Sequence, residues 1–113
     1  MKDEKPKIKN DEMSLLLRED AVDVFNERWA KGDRCDLTGM DFRGLDLRSL
    51  HVEGMDFSNS YFRQADLRGL NLTTCKLEGA SIQSALISGT YFPKELSPEE
   101  IALSLKHGTR MRY

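Results

Sequence analysis

The chain has 113 residues and a formal net charge of -2, with acidic and basic residues alternating along it. This length suits one small domain, and the near-neutral charge argues against a strongly basic nucleic-acid binder. No apolar run is long enough to span a bilayer, and the first ten residues are charged where a secretory signal would be apolar. We therefore expect a cytoplasmic protein that binds neither nucleic acid nor a membrane directly.

Residues 1–34 divide into a polar segment and a predicted helix. Residues 1–12 contain mostly lysine, acids and one proline, so we expect them to be disordered or loosely attached. Within residues 13–34, apolar side chains recur at helical steps from about Leu15 to Ala30, and Lys31 and Gly32 end the pattern. This helix either caps the segment that follows, which we favour, or binds a partner. Its predicted apolar face consists of Leu17, Ala21, Val24, Phe25 and Trp29.

Residues 35–94 repeat with a period of five. A second inward position, two residues before the central one, is small or apolar in each unit. A five-residue period fits neither an α-helix nor a β-strand on one face, so the chain must turn in every unit and bury the central residues by stacking. The predicted structural core is the central apolar residue of each of the twelve units: Leu37, Phe42, Leu47, Val52, Phe57, Phe62, Leu67, Leu72, Leu77, Ile82, Ile87 and Phe92.

The runs Met40 to Gly44 and Ala65 to Gly69 resemble the repeat unit of the pentapeptide-repeat family. The resemblance implies an all-β solenoid: a right-handed quadrilateral β-helix of about three coils, roughly 14 Å tall, capped by an α-helix at each end. This arrangement of a short repeat segment between two helical caps resembles a short bacterial member of the family. The first coil departs from the pattern, since Met40, Leu45 and Leu50 stand where small residues are usual. These larger side chains indicate either contact with a cap or a local distortion of the coil.

The two cysteines occupy the same inward column of the expected coils. Cys35 and Cys75 are forty residues apart, which places their Cα atoms about 10 Å from each other and beyond disulfide reach. We interpret both as small buried side chains. His51 and His107 do not form a Cys/His cluster with zinc spacing, so the sequence predicts no metal site and no cofactor.

Residues 95–113 predict a second helical cap and a basic tail. Ser97 is a typical helix N-cap, Pro98 suits the first helical position, Glu100 completes a capping box and Gly108 is placed to end the helix. The segment is similar to the C-terminal block of short bacterial pentapeptide-repeat proteins. The tail either binds a partner or satisfies carbonyls and acids near the last coil. Its candidate contact residues are Arg110, Arg112 and Tyr113.

The outer surface offers one candidate protein-binding face. Because four units make a coil, residues twenty apart should lie above one another, so charged residues should form columns. The same columns could instead be a solvated wall, which we favour for these columns, in which each exposed ion pair is worth about 0–1 kcal/mol. The candidate face consists of Arg43, Arg48, Arg63, Arg68, Asp46 and Asp66.

The residue pattern indicates a protein without catalytic activity. It places no converging titratable groups in a concave site and contains no phosphate-binding loop. The family resemblance offers one alternative function, a DNA mimic that binds DNA gyrase or topoisomerase. Residues 35–94 carry seven acids and six bases, too little negative charge to imitate a duplex with about one charge per 1.7 Å. We therefore expect a protein-protein interaction scaffold whose partner is unidentified, and homodimerisation through an end or a cap stays open.

Overall fold

The computed structural model describes residues 5–113, and three α-helices provide its regular secondary structure: α1 (Glu12–Arg18), α2 (Val22–Ala30) and α3 (Pro98–His107). In this part of the chain, parallel pairing is confined to isolated bridges, with no β-strand and no sheet. The expected all-β solenoid, a right-handed quadrilateral β-helix, is therefore wrong for this structure. None of the described helices is long and apolar enough to cross a membrane.

Pairing stays isolated because a tight turn occupies most of each five-residue unit. The Leu45 N–H donates to the Phe42 carbonyl at 3.1 Å, and the Ala65 N–H donates to the Phe62 carbonyl at 3.1 Å. The third residue of these turns often has a left-handed φ, such as 72° at Gly44, as a type II turn requires. Where units of neighbouring layers pair, one residue of each unit forms a parallel bridge. A strand needs consecutive paired residues, so none forms.

Residues twenty positions apart nevertheless lie in register. Bridges join Asp41 to Tyr61 and Tyr61 to Ser81, and another pair of bridges joins Asp46 to Asp66 and Asp66 to Leu86. We therefore divide the repeat segment into layer 1 (residues 35–54), layer 2 (residues 55–74) and layer 3 (residues 75–94). The four units of each layer form sides 1 to 4, which in layer 1 are centred on Leu37, Phe42, Leu47 and Val52.

The core lies between the four sides and runs through all three layers. Ten of the twelve central residues are at most 6% exposed, whereas Ile87 and Phe92 in layer 3 are only partly buried. Phe42 stacks on Phe62 with ring centroids 4.9 Å apart, and Phe57 meets both rings edge-on at 5.7 and 5.4 Å. These aromatic contacts tie layer 1 to layer 2.

The structure has two N-terminal helices where the sequence predicts one. Asp20 adopts a left-handed φ of 62°, and the Ala21 N–H donates to the Leu16 carbonyl at 2.7 Å, which together end α1 as a Schellman motif does. The break changes which residues face the core in α2. Val22 is 6% exposed, and Val24, predicted on the apolar face, is 43% exposed.

The N-terminal segment pairs with the lower edge of layer 1. The Lys7 N–H donates to the Gly39 carbonyl at 3.0 Å, and the Lys7 carbonyl accepts from the Asp41 N–H at 2.9 Å. The Lys9 ammonium donates to the Thr38 carbonyl at 2.6 Å. These bonds attach the N-terminal segment, which was expected to be disordered or loosely attached, to layer 1. Residues 1–4 of that segment lie outside the described residues.

Asn26 of α2 also binds backbone groups at the lower edge of layer 1, where side 4 begins. Its side-chain amide donates to the Ser49 carbonyl at 2.8 Å, and its side-chain oxygen accepts from the His51 N–H at 2.9 Å. Asn26 is 9% exposed, so burial strengthens the requirement that these polar groups be paired. One side chain thus replaces the backbone of a missing lower layer.

Helix α3 begins and ends where the sequence predicts. The Ser97 side chain accepts from the Glu100 N–H at 3.2 Å, and Gly108 ends the helix with a φ of 74°. The Glu100 carboxylate accepts from the Arg112 N–H at 3.0 Å, so it fixes the C-terminal tail in addition to its place in the first turn. Met111 in this tail is fully buried.

Candidate functional site

Two arginines and two aspartates form a ladder of ion pairs on side 3. Arg48 contacts Asp46 through two hydrogen bonds, Nε to Oδ1 at 2.9 Å and Nη2 to Oδ2 at 2.8 Å. Arg68 contacts Asp66 in the same way at 2.9 and 2.7 Å. The Arg48 Nε also lies 3.2 Å from Asp66 Oδ2, which connects layer 1 to layer 2. We call these four residues the arginine ladder.

The repeat pattern explains why the ladder is ordered. Asp46 Oδ1 accepts the backbone N–H of Arg48 at 3.1 Å, and Asp66 Oδ1 accepts that of Arg68 at 3.2 Å. An aspartate that binds the amide two residues later is a common turn device. Here the same carboxylate also receives the guanidinium of that later residue, so the turn itself fixes the arginine.

The ladder has one exposed and one shielded carboxylate. The Asp46 side chain is 47% exposed and the Asp66 side chain 14%, whereas the side chains of Arg48 and Arg68 are 50% and 45% exposed. Hydrogen bonds from Arg48 lower the pKa of Asp46 to about 2. Hydrogen bonds from Arg68 likewise hold the pKa of Asp66 below its ordinary value. Both carboxylates are therefore ionised at neutral pH, and the ladder carries no net charge.

The other two predicted arginines lie outside this ladder. Arg43 binds Asp41 on side 2 at 2.8 Å. The Arg63 guanidinium lies over the Tyr61 ring, 4.4 Å from its centroid, because a tyrosine precedes it where aspartate precedes the ladder arginines. The six predicted residues thus fall into a ladder on side 3 and separate contacts on side 2.

The predicted tail residues contact layer 3 and its neighbours. The Tyr113 hydroxyl accepts from the Leu77 N–H at 3.0 Å, and the Arg110 guanidinium lies 5.6 Å from the centre of the Tyr61 ring. The Met111 backbone donates to the Ala80 carbonyl at 2.8 Å. Sequence reasoning missed Met111, whose single apolar side chain in a polar tail was the available signal.

Two buried polar residues of the helices were also missed. Asn26 and Ser104 both bind layer backbone, Ser104 through its Oγ, which accepts from the Ile82 N–H at 2.9 Å. Each is a polar residue at an apolar helical position: Asn26 follows Val22 by four residues, and Ser104 follows Ile101 by three. A polar residue within such a stripe indicates a helix that packs against open backbone.

Neither cysteine forms a disulfide in the described part of the chain. Both are free thiols, and burial raises the pKa of Cys75 to about 11. The Cys75 thiol donates to the Val52 carbonyl at 3.1 Å. Among residues 5–113, no group of three or more His, Cys, Asp or Glu side chains is arranged to hold a metal ion.

Two open clefts lie beside α2, and one of them reaches a residue of the ladder. The first has a volume of about 340 Å³ and extends from Asp20 and Asp23 to Asp46. The second has a volume of about 440 Å³ and lies between Glu27 and His51. Asp46 is therefore both a ladder residue and part of the first cleft, whose lining includes two further acidic residues, Asp20 and Asp23.

Comparison with known families agrees with the repeat pattern. Eight copies of the Pentapeptide repeats family model match residues 56–92. Residues 56–92 are therefore pentapeptide repeats. The match confirms the resemblance over layers 2 and 3 and leaves layer 1 outside. Pentapeptide-repeat proteins are repeat proteins, often of unknown function and generally not enzymes. No curated protein and no solved structure matches the chain.

Proposed function

We propose that this protein is a non-catalytic scaffold that binds a protein partner through the arginine ladder. The observation that supports the proposal is the two-bond contact of each ladder arginine with its own aspartate. A guanidinium that is already fixed loses little conformational freedom on binding, so more of its interaction energy contributes to affinity. Arginine is also enriched at the energetic centres of protein interfaces.

The remaining donors define the chemistry of the partner. The ladder hydrogen bonds of Arg48 and Arg68 use Nε and Nη2, and no described residue accepts from their Nη1 groups. Both side chains are about half exposed. The partner should therefore present carboxylate or carbonyl oxygens to this surface, because a guanidinium edge matches such acceptors well.

The experiment is affinity capture from a lysate of the source organism with two matched double variants. Arg48→Ser with Arg68→Ser removes the ladder arginines. Arg43→Ser with Arg63→Ser removes two arginines from side 2. The proposal expects a near-stoichiometric partner that the first variant loses and the second retains. Thermal melting of both variants checks that the fold is intact.

Lysine variants at the same two positions sharpen the test. Arg48→Lys with Arg68→Lys keeps both charges but loses the planar two-bond geometry, so it should also lose the partner. Absence of a partner, or equal loss of the partner in both serine variants, would overturn the proposal. A retained topoisomerase subunit would instead support the DNA-mimic function that the net charge disfavours.

A further inference from the structure

The C-terminal residues cover only half of the upper edge of layer 3. On sides 1 and 2, four backbone N–H groups point away from layer 2 and each meets an acceptor in α3 or the tail. On the same two sides, the equivalent N–H groups of layer 2 donate to carbonyls of layer 3, so α3 and the tail take the place of a further layer. The four bonds are Leu77 N–H to Tyr113 Oη at 3.0 Å, Gly79 N–H to the Met111 carbonyl at 2.7 Å, Ile82 N–H to Ser104 Oγ at 2.9 Å and Ser84 N–H to the Leu105 carbonyl at 3.0 Å.

Sides 3 and 4 of the same edge have no such cover. The corresponding donors are the N–H groups of Ile87, Gly89 and Phe92, and no residue in the described part of the chain accepts from them. One layer below, the equivalent N–H groups all donate to layer 3. Those bonds run from Leu67 to Leu86 at 2.9 Å, from Gly69 to Ser88 at 3.0 Å and from Leu72 to Tyr91 at 2.7 Å.

Apolar side chains surround these open donors. Ile87 and Phe92 are the two central residues that are not fully buried, and Leu86 and Tyr91 beside them are 49% and 66% exposed. Leu86 and Tyr91 occupy the columns that hold aspartate or asparagine in layer 2. An exposed apolar group next to unpaired backbone is typical of a surface that another segment covers.

We propose that this open half of layer 3 binds a polypeptide segment that turns between sides 3 and 4, as layer 3 does, and adds to both sides as a fourth layer. Backbone supplies donors and acceptors at the spacing of the open groups, and layer 3 makes these same contacts with layer 2. The bound segment carries an apolar side chain that covers Leu86. This interaction lies on a different surface from the arginine ladder and does not rest on it.

The chain itself supplies a suitable probe peptide. Residues 84–93 form the stretch that adds to sides 3 and 4 of layer 2, where the Leu86 and Tyr91 N–H groups donate to the Ala65 and Leu70 carbonyls at 3.0 and 2.9 Å. A synthetic copy of residues 84–93 is titrated into the isotope-labelled full chain. We expect shifts and slower hydrogen exchange at the amides of Ile87, Gly89 and Phe92.

Two matched controls separate backbone addition from apolar adsorption. A peptide methylated at the nitrogens equivalent to Leu86 and Tyr91 cannot donate those bonds and should bind at least about tenfold more weakly. Leu86→Asp should weaken binding of the unmodified peptide. Val24→Asp, at a residue of similar exposure on α2, should leave binding unchanged.

Three results would each overturn the proposal. The first is protection of the Ile87 and Gly89 amides in the free protein as strong as that of Ile82 and Ser84. The second is the absence of shifts at the open amides at millimolar peptide. The third is equal binding of the methylated and unmodified peptides. Arg48→Ser with Arg68→Ser should bind the peptide normally, so failure of this proposal and failure of the ladder proposal are distinguishable.

Discussion

Layers 2 and 3 are joined more completely than layers 1 and 2. Bridges connect layers 2 and 3 on all four sides, whereas layers 1 and 2 are bridged on sides 2 and 3 alone among the described residues. The family match covers the better paired layers, residues 56–92. Since all three layers share the five-residue period, the period determines which residues point inward and does not determine how completely neighbouring layers pair.

The residues at the second inward position differ between the unbridged and the bridged pair of layers on side 4. Leu50 of layer 1 is in register with Leu70 of layer 2, and both are large and buried, whereas Leu70 is in register with the smaller Thr90 of layer 3. In place of the expected backbone contact, the Gly54 N–H donates to Thr74 Oγ1 at 3.0 Å. On side 1, layers 1 and 2 have no bridge, although a bridge joins Asp56 of layer 2 to Lys76 of layer 3. The sizes of the second inward residues on this side, Cys35, Met55 and Cys75, do not explain why one pair of layers is bridged and the other is not.

Deleting residues 1–31 should have the largest effect, because it removes everything that covers layer 1. The deletion exposes the lower edge that Lys7 and Asn26 now satisfy. We expect aggregation and loss of cooperative melting, measured by light scattering after size-exclusion chromatography and by thermal unfolding. A monomeric truncation that melts cooperatively would show that layer 1 needs no cap.

Replacing core phenylalanines compares the two layers directly. Phe62→Ala should lower the free energy of unfolding by about 3–5 kcal/mol through cavity formation, and Phe42→Ala by less, because a less tightly paired layer relaxes into the cavity more easily. Urea unfolding measures both. Leu103→Ala, at a residue 45% exposed, is the control and should change stability by no more than about 0.5 kcal/mol. A larger loss for Phe42→Ala contradicts the comparison.

Asn26→Ala tests how far α2 supports layer 1. The change leaves the Ser49 carbonyl and the His51 N–H without their present partner, which should lower the free energy of unfolding by about 1–3 kcal/mol. Asn26→Asp keeps the acceptor for His51 but places a buried carboxylate against the Ser49 carbonyl, so it should cost at least as much. Equal stability of wild type and Asn26→Ala in urea would mean that water satisfies this edge equally well.

Hydrogen exchange tests the missing bridge on side 4 without a mutation. The Leu72 N–H donates to the Tyr91 carbonyl at 2.7 Å, while the Val52 N–H has no acceptor among the described residues. The Val52 amide should therefore exchange at least about tenfold faster, as amides without a stable partner do. Comparable rates by NMR would indicate that side 4 of layer 1 is as well paired as that of layer 2.

Acid should weaken the ladder, and we expect this effect to be the smallest. The folded-state pKa of Asp46 lies at about 2, below its ordinary value of 3.8. Its contribution to stability is therefore present above pH 3.8 and is lost as the pH falls toward 2. The urea midpoint of wild type should drop more over this window than that of Asp46→Asn. Parallel curves would show that the ion pair between Asp46 and Arg48 adds nothing to stability.

Several structural features could be predicted from residue type and spacing. The five-residue period identified the central residues, and the twenty-residue spacing predicted that Arg48 and Arg68 lie on adjacent layers. Ser97 and Gly108 mark the ends of α3 because each residue type favours that position. The end of α1 was missed because Asp20, not glycine, adopts the left-handed conformation.

The β class, which the family resemblance implied, was wrong because the resemblance rests on a residue period that records burial and not hydrogen bonding. A repeat of one inward residue in five requires a turn in every unit, and that turn leaves single residues to pair. The roles of Asn26, Ser104 and Met111 depend on which backbone groups remain open at the ends of the stack. Those groups are defined only after the layers have assembled.

The sequence by itself determined the inward column, the repeat family of residues 56–92 and the caps of α3, because each follows from local residue chemistry. The tertiary structure alone decided how completely the layers pair, which arginines join the ladder and which half of the upper edge stays open. These features depend on contacts between residues twenty or more positions apart, where the sizes of both partners and the position of the helices act together.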